Sequence, residues 1–237
     1  MTGQNGSLSP RLELSFLLAA GGITFCLTAL PPALASLRPV IPFWLFLLLS
    51  TVPVQLSGIL SCVIPARKFC PERPLLPVLD LVFPPRGEWR LILGGTGAVY
   101  LLLAAVTGVT VFVLKKIGLP PVEQPIVQLI RQGSVFTIAL LAPVMILLAP
   151  LGEDLCFRYA VFKKLEYHAG PFPAALLTSL LFAAAHMNLQ VFPSLFLLGL
   201  WLSALYRRTG SLFAPVAAHA LFNSVSLVLL CCLPAAK

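Results

Sequence analysis

Long apolar runs alternate with short polar breaks along the whole chain, and the runs have the length of bilayer-crossing helices. A helix needs about 20 apolar residues to cross a hydrocarbon core of about 30 Å. Residues 12–34, 43–64 and 91–114 are runs of this kind, and residues 134–165 form a longer one. Three further runs close the chain, at residues 173–186, 192–206 and 212–233, the first two rather short. The pattern predicts an all-α polytopic transmembrane helical bundle of about seven spans, a single integral membrane domain over residues 1–237.

The breaks carry their own signals. Residues 1–10 read as a short disordered lead, and residues 65–90 as an extended loop, rich in proline and holding Arg67, Lys68, Arg73, Arg86 and Arg90. Residues 115–132 form a second proline-containing loop, within which 125–131 suit a short interfacial helix. Gly94, Gly95 and Gly97 offer the third span a close-packing face. Pro143 and Pro150 interrupt the long fourth region. A proline there frees a carbonyl and kinks the helix, which opens a pocket beside the residues that follow.

Composition narrows the class. Hydrophobic residues make up 59% of the 237, charged residues only 10%, and the mean hydropathy is +0.97, which excludes an ordinary soluble domain. The net charge of +8 is scattered between apolar runs with no basic–aromatic face, so it is a topology signal and implies no nucleic acid. With the N-terminus in the cytoplasm, the inner segments hold ten bases: Arg11, the five of the long loop, Lys163, Lys164, Arg207 and Arg208. The outer segments hold five, Arg38, Lys115, Lys116, Arg131 and Lys237, which favours N-in and C-out. The six cysteines show no CxxC spacing and read as small apolar fillers, with neither a disulfide framework nor a zinc site.

Against this background the stretch around Pro150 stands out, because it sets Glu153, Asp154 and Arg158 inside an apolar region. Each ionisable group at membrane depth costs about 2.5–3.5 kcal/mol on insertion scales and normally has a task in the bundle interior. Asp154 and Arg158, four apart, share a helix face in the favourable acid-before-base order. Glu153 is turned about 100° away and is left free of that pair. Downstream, His186 follows Phe182 by one turn, and His219 and Asn223 stand four apart on one stripe of the last span. Such groups can serve as interhelical hydrogen bonds alone. Glu153, His186 and His219 could instead supply three zinc ligands, although no HExxH motif is present. Without metal, Glu153 and His186 would act as base for a water while His219 and Asn223 donate to an oxyanion. Asn223, a poor zinc ligand and a good oxyanion donor, favours the metal-free version.

The order Glu153-Asp154-x-x-x-Arg158, then Phe182-x-x-x-His186, then His219-x-x-x-Asn223, all within spans, resembles the CPBP intramembrane protease family. That family comprises type II CAAX prenyl endopeptidases and the bacterial Abi group linked to bacteriocin processing and immunity. The match covers residues 149–226, including the turn Thr209–Gly210–Ser211, so a protease core is expected over residues 134–233. The resemblance implies an endopeptidase without cofactor, with a catalytic cavity formed by the last four spans. It implies that Glu153 and His186 activate water, that His219 and Asn223 form the oxyanion hole, and that Arg158 braces the first motif. Asp154 stands where the family usually has a second glutamate, and Tyr159 where it often has glycine, which is expected to narrow the pocket beside Arg158. The implied partners are the lipid bilayer and a membrane-embedded or lipidated peptide or protein substrate, and the short lead and loops fit a bacterial inner membrane. Three other readings use the same residues: a non-enzymatic immunity or scaffolding protein, a zinc-dependent version of the protease, and a small proton-coupled transporter.

Overall fold

The computed structural model describes residues 9–28, 39–120, 122 and 124–232, and among these the chain is all-helical. Most of the predicted lead and the end of the first predicted span, residues 29–34, lie outside the described residues. The helices in chain order are α1 (Pro10–Thr28), α2 (Phe43–Phe69), the single turn α3 (Leu75–Val78), α4 (Arg86–Lys116) and α5 (Pro125–Gln132). They continue as α6 (Val135–Ala169), α7 (Pro171–Ala185), α8 (Phe192–Thr209) and α9 (Phe213–Cys232). Among the described residues four helices are long and apolar enough to cross a membrane: α4, α6, α9 and the part of α2 from Trp44 to Phe69. The chain is an integral membrane protein, and α4 turns Leu101, Val109 and Phe112 outward, as a surface facing lipid requires.

Two boundaries differ from the sequence reading. The second helix runs through Pro65 to Phe69 instead of stopping at residue 64, with Arg67 and Lys68 in its last turn where cations favour the helix dipole. Of Gly94, Gly95 and Gly97 in α4, only Gly95 makes a close approach, where a Cβ would come within 2.6 Å of the Trp201 ring. No atom lies within 4 Å of a Cβ built at Gly94 or Gly97.

The long helix α6 is continuous across both of its prolines because it widens into π-helical turns at Val144–Leu148 and Leu155–Phe162. Its start is capped by Ser134, whose Oγ accepts the Thr137 N–H at 3.3 Å. Beyond its end a single residue, Gly170 at φ 81°, turns the chain back into α7, with Pro171 in the first turn.

The far end of α6 is pinned by the segment after α3. Asp80 adopts a left-handed conformation at φ 56°, its carbonyl accepts the Leu212 N–H at 2.8 Å, and its carboxylate meets Lys163 and the Tyr206 hydroxyl. Ser211 donates to the Val82 carbonyl, and Gly210 ends α8 in a left-handed turn at φ 62°. The Thr209–Gly210–Ser211 turn therefore anchors the start of α9 to the same end of the bundle. Tyr159 belongs to this anchor too: fully buried, it donates its hydroxyl to the Val78 carbonyl at 2.8 Å and does not line the cavity near Glu153. The expectation that it narrows the pocket is corrected on that ground.

Candidate active site

The tight hairpin at Gly170 sets which residues of α6 and α7 come level. In an antiparallel pair joined by one residue, positions equally far from the turn face each other. Arg158 stands 12 residues before Gly170 and Phe182 stands 12 after it, and the guanidinium lies 4.4 Å from the centroid of that ring. Glu153 stands 17 residues before and His186 16 after, and the two line one cavity. The short reach of α7 is what holds His186 at the depth of the acids.

Phe182 is the hub of this level. Its ring is fully buried, edge-on to Phe157 at 5.4 Å, to His186 at 4.9 Å and to His219 at 5.8 Å. Its carbonyl is 2.8 Å from His186 Nδ1, so that nitrogen carries the proton and donates, leaving Nε2 as the basic nitrogen of the neutral ring.

Asp154 and Arg158 form the ion pair their spacing predicts, with Arg158 Nε 3.2 Å from Asp154 Oδ1 and both side chains fully buried. Arg158 Nη2 also donates to the Gly199 carbonyl at 3.4 Å. His219 bridges the two acids, with Nδ1 3.4 Å from Asp154 Oδ2 and Nε2 3.8 Å from Glu153 Oε2. These contacts satisfy charge better than they satisfy hydrogen bonding. Glu153 Oε2, both Asp154 oxygens, Arg158 Nε and Nη1, and His219 Nδ1 are buried without a well-aligned hydrogen bond. A buried polar group left this way costs free energy, and such costs concentrate where chemistry is done. Among the described residues no group of three His, Cys, Asp or Glu side chains is placed to hold a metal ion.

Asn223 stands apart from the acids. In the π turn before Pro150 the Ala149 N–H goes to the Val144 carbonyl, and Pro150 has no N–H to give. The Met145 carbonyl is thereby freed, and Asn223 Nδ2 donates to it at 2.8 Å. Pro150 thus frees a carbonyl eight residues before Glu153, and the last span supplies the side chain that meets it.

The cavity has a volume of about 200 Å³. Its polar lining is Glu153, His186, Gln55 and Ser57, while neither His219 nor Asn223 lines it. Two of its walls come from α1, through Ala19, and from α2, through Val54 to Gly58, which corrects the expectation of a cavity formed by the last four spans. The reason is a glycine crossing. A Cβ on Gly58 would sit 2.4 Å from the Gly152 carbonyl oxygen, and one on Gly152 would sit 2.6 Å from that of Gln55. Only bare backbones allow α2 this close to α6. The crossing also delivers Gln55, a residue the motif reading passed over, whose Nε2 donates to Glu153 Oε1 at 3.2 Å. Its signal was available, as the one side-chain amide in an apolar run of spanning length.

Comparison with known proteins points to the same stretch. The family described as Rce1-like, type II CAAX prenyl endopeptidase Rce1-like, matches residues 135–225. An uncharacterized 24.3 kDa protein of Escherichia coli is 38% identical over 121 residues, which is 48% of this chain and 55% of that protein. The chain thus spans about half the length of this relative. No solved structure matches. The matched segment runs from the first residue of α6 to Val225 in α9 and holds all three motifs. Residues 135–225 are thus similar to the Rce1-like type II CAAX prenyl endopeptidase family, in agreement with the resemblance the motifs display.

Proposed function

We propose that the chain is an endopeptidase working within the bilayer on a membrane-associated or lipidated peptide or protein, in the inner membrane of a bacterium. The observation that carries this reading is the shared cavity of Glu153 and His186, with His186 held by Phe182 in the tautomer that leaves Nε2 basic. A water between them loses a proton to one of the two as its oxygen attacks the scissile carbonyl. The carbonyl oxygen becomes an oxyanion, for which Asn223 has a second amide N–H and His219, held by Asp154 at Nδ1, its Nε2 edge. Collapse of the tetrahedral intermediate breaks the C–N bond, and the proton held by Glu153 or His186 passes to the leaving amine. Arg158 holds Asp154, and through it His219.

The test uses purified protein in lipid vesicles, wild type beside Glu153→Ala, on a library of lipidated and plain membrane peptides read by mass spectrometry, with and without a strong chelator. Cleavage by wild type alone, indifferent to chelator, is the expected result. Equal cleavage by Glu153→Ala overturns the mechanism, and loss to chelator with restoration by zinc replaces it by the metal version. A folded wild type that cleaves nothing in the library favours the scaffolding reading.

A further inference from the structure

We propose that Gln55, on a helix outside the family motifs, is the positioning residue for Glu153 and holds its carboxylate in the cavity shared with His186; this rests on the protease reading above. Gln55 is 7% exposed and lies near the middle of the Trp44–Phe69 span, where an unpaired amide is costly. Its Nε2 donates to Glu153 Oε1 at 3.2 Å, and both residues line the cavity that His186 closes.

The two oxygens of Glu153 are therefore unequal. Oε1 has its lone pairs turned to an amide donor, while Oε2 is buried with no hydrogen bond and has only His219 Nε2 near it, at 3.8 Å. Rotation of the carboxylate would exchange the two, and the amide opposes that rotation. The amide is itself fixed, because the backbone of Gln55 is locked against Gly152, the neighbour of Glu153, at a distance no other residue type permits. A water-activating carboxylate misplaced by about 1 Å can lose about 10²-fold in rate.

The experiment takes a peptide from the library that wild type cleaves and Glu153→Ala does not, so that the protease reading is already secured. On it, Gln55→Met, which keeps volume and removes the donor, is expected to lower kcat by about 10²-fold with KM within about twofold and the melting temperature of the reconstituted protein unchanged. Gln55→Asn keeps an amide one methylene short, and is expected to retain more kcat than Gln55→Met. Should Gln55→Met fail to fold, Gln55→Asn decides by the same split between kcat and KM. Wild-type kcat in the folded variant, or a loss confined to KM, overturns the assignment while leaving the protease reading intact.

Discussion

The helix α6 carries two ionic centres that are built to opposite rules. At its end, Asp80 receives Lys163 and the Tyr206 hydroxyl on its carboxylate and the Leu212 N–H on its carbonyl, while Lys164 pairs with Glu13 of α1. The charged groups Asp80, Lys163, Lys164 and Glu13 are partly exposed and well bonded. In its middle, Asp154 and Arg158 are fully buried, and several polar atoms of that cluster have charge partners without aligned hydrogen bonds. The end centre fastens three segments together where water can share the cost. The middle centre bears a cost that holding helices together does not require, and it adjoins the cavity that Glu153 and His186 share.

Four substitutions would break or sharpen that contrast. Glu153→Gln is the most severe for activity: turnover should fall by about 10³-fold or more, equivalent to about 4 kcal/mol of barrier, with melting in lipid unchanged. A large drop in melting with turnover intact would make the middle centre a clamp like the other. Arg158→Met removes the guanidinium partner of the fully buried Asp154, and should cost about 3–5 kcal/mol of stability, seen as aggregation or early unfolding in detergent. Asn223→Ala strips the Met145 carbonyl of its donor and should cost about 1–3 kcal/mol. Because the same amide is proposed to serve the oxyanion, kcat should fall further than that instability explains. Asp80→Asn, at the end centre, should shift stability by about 1 kcal/mol or less and leave kcat at the wild-type value.

What the sequence made legible was periodic or local. Helix positions followed from apolar run length, and the Asp154–Arg158 pair from a spacing of four. The level of His186 was legible too, in the equal counts on either side of Gly170, although the motif pattern alone does not use them. What escaped depends on how distant helices cross. Gln55 meets Glu153 across 98 residues because two glycines let α2 and α6 touch, and nothing local in the sequence pairs Gly58 with Gly152. Tyr159 was misjudged for a similar reason, since its partner is a backbone carbonyl 81 residues away in the segment after α2. Asn223 was read as an oxyanion donor or an interhelical hydrogen bond, but its partner could not be named, because the carbonyl it meets appears only once the π turn has rearranged the bonds before Pro150.

The glycine crossing bears on how the protein is made. Helices enter the membrane in order of synthesis, and contacts closing long stretches of chain form late. Gln55 must wait for Glu153, Glu153 for His186 at the far side of Gly170, and the acids for His219 on the last helix. A nascent chain that has inserted α6 holds both acids in lipid without the imidazoles that complete the centre. The buried centre is therefore completed as one of the last events of biogenesis, when α9 has docked, and the proposed activity can begin only then.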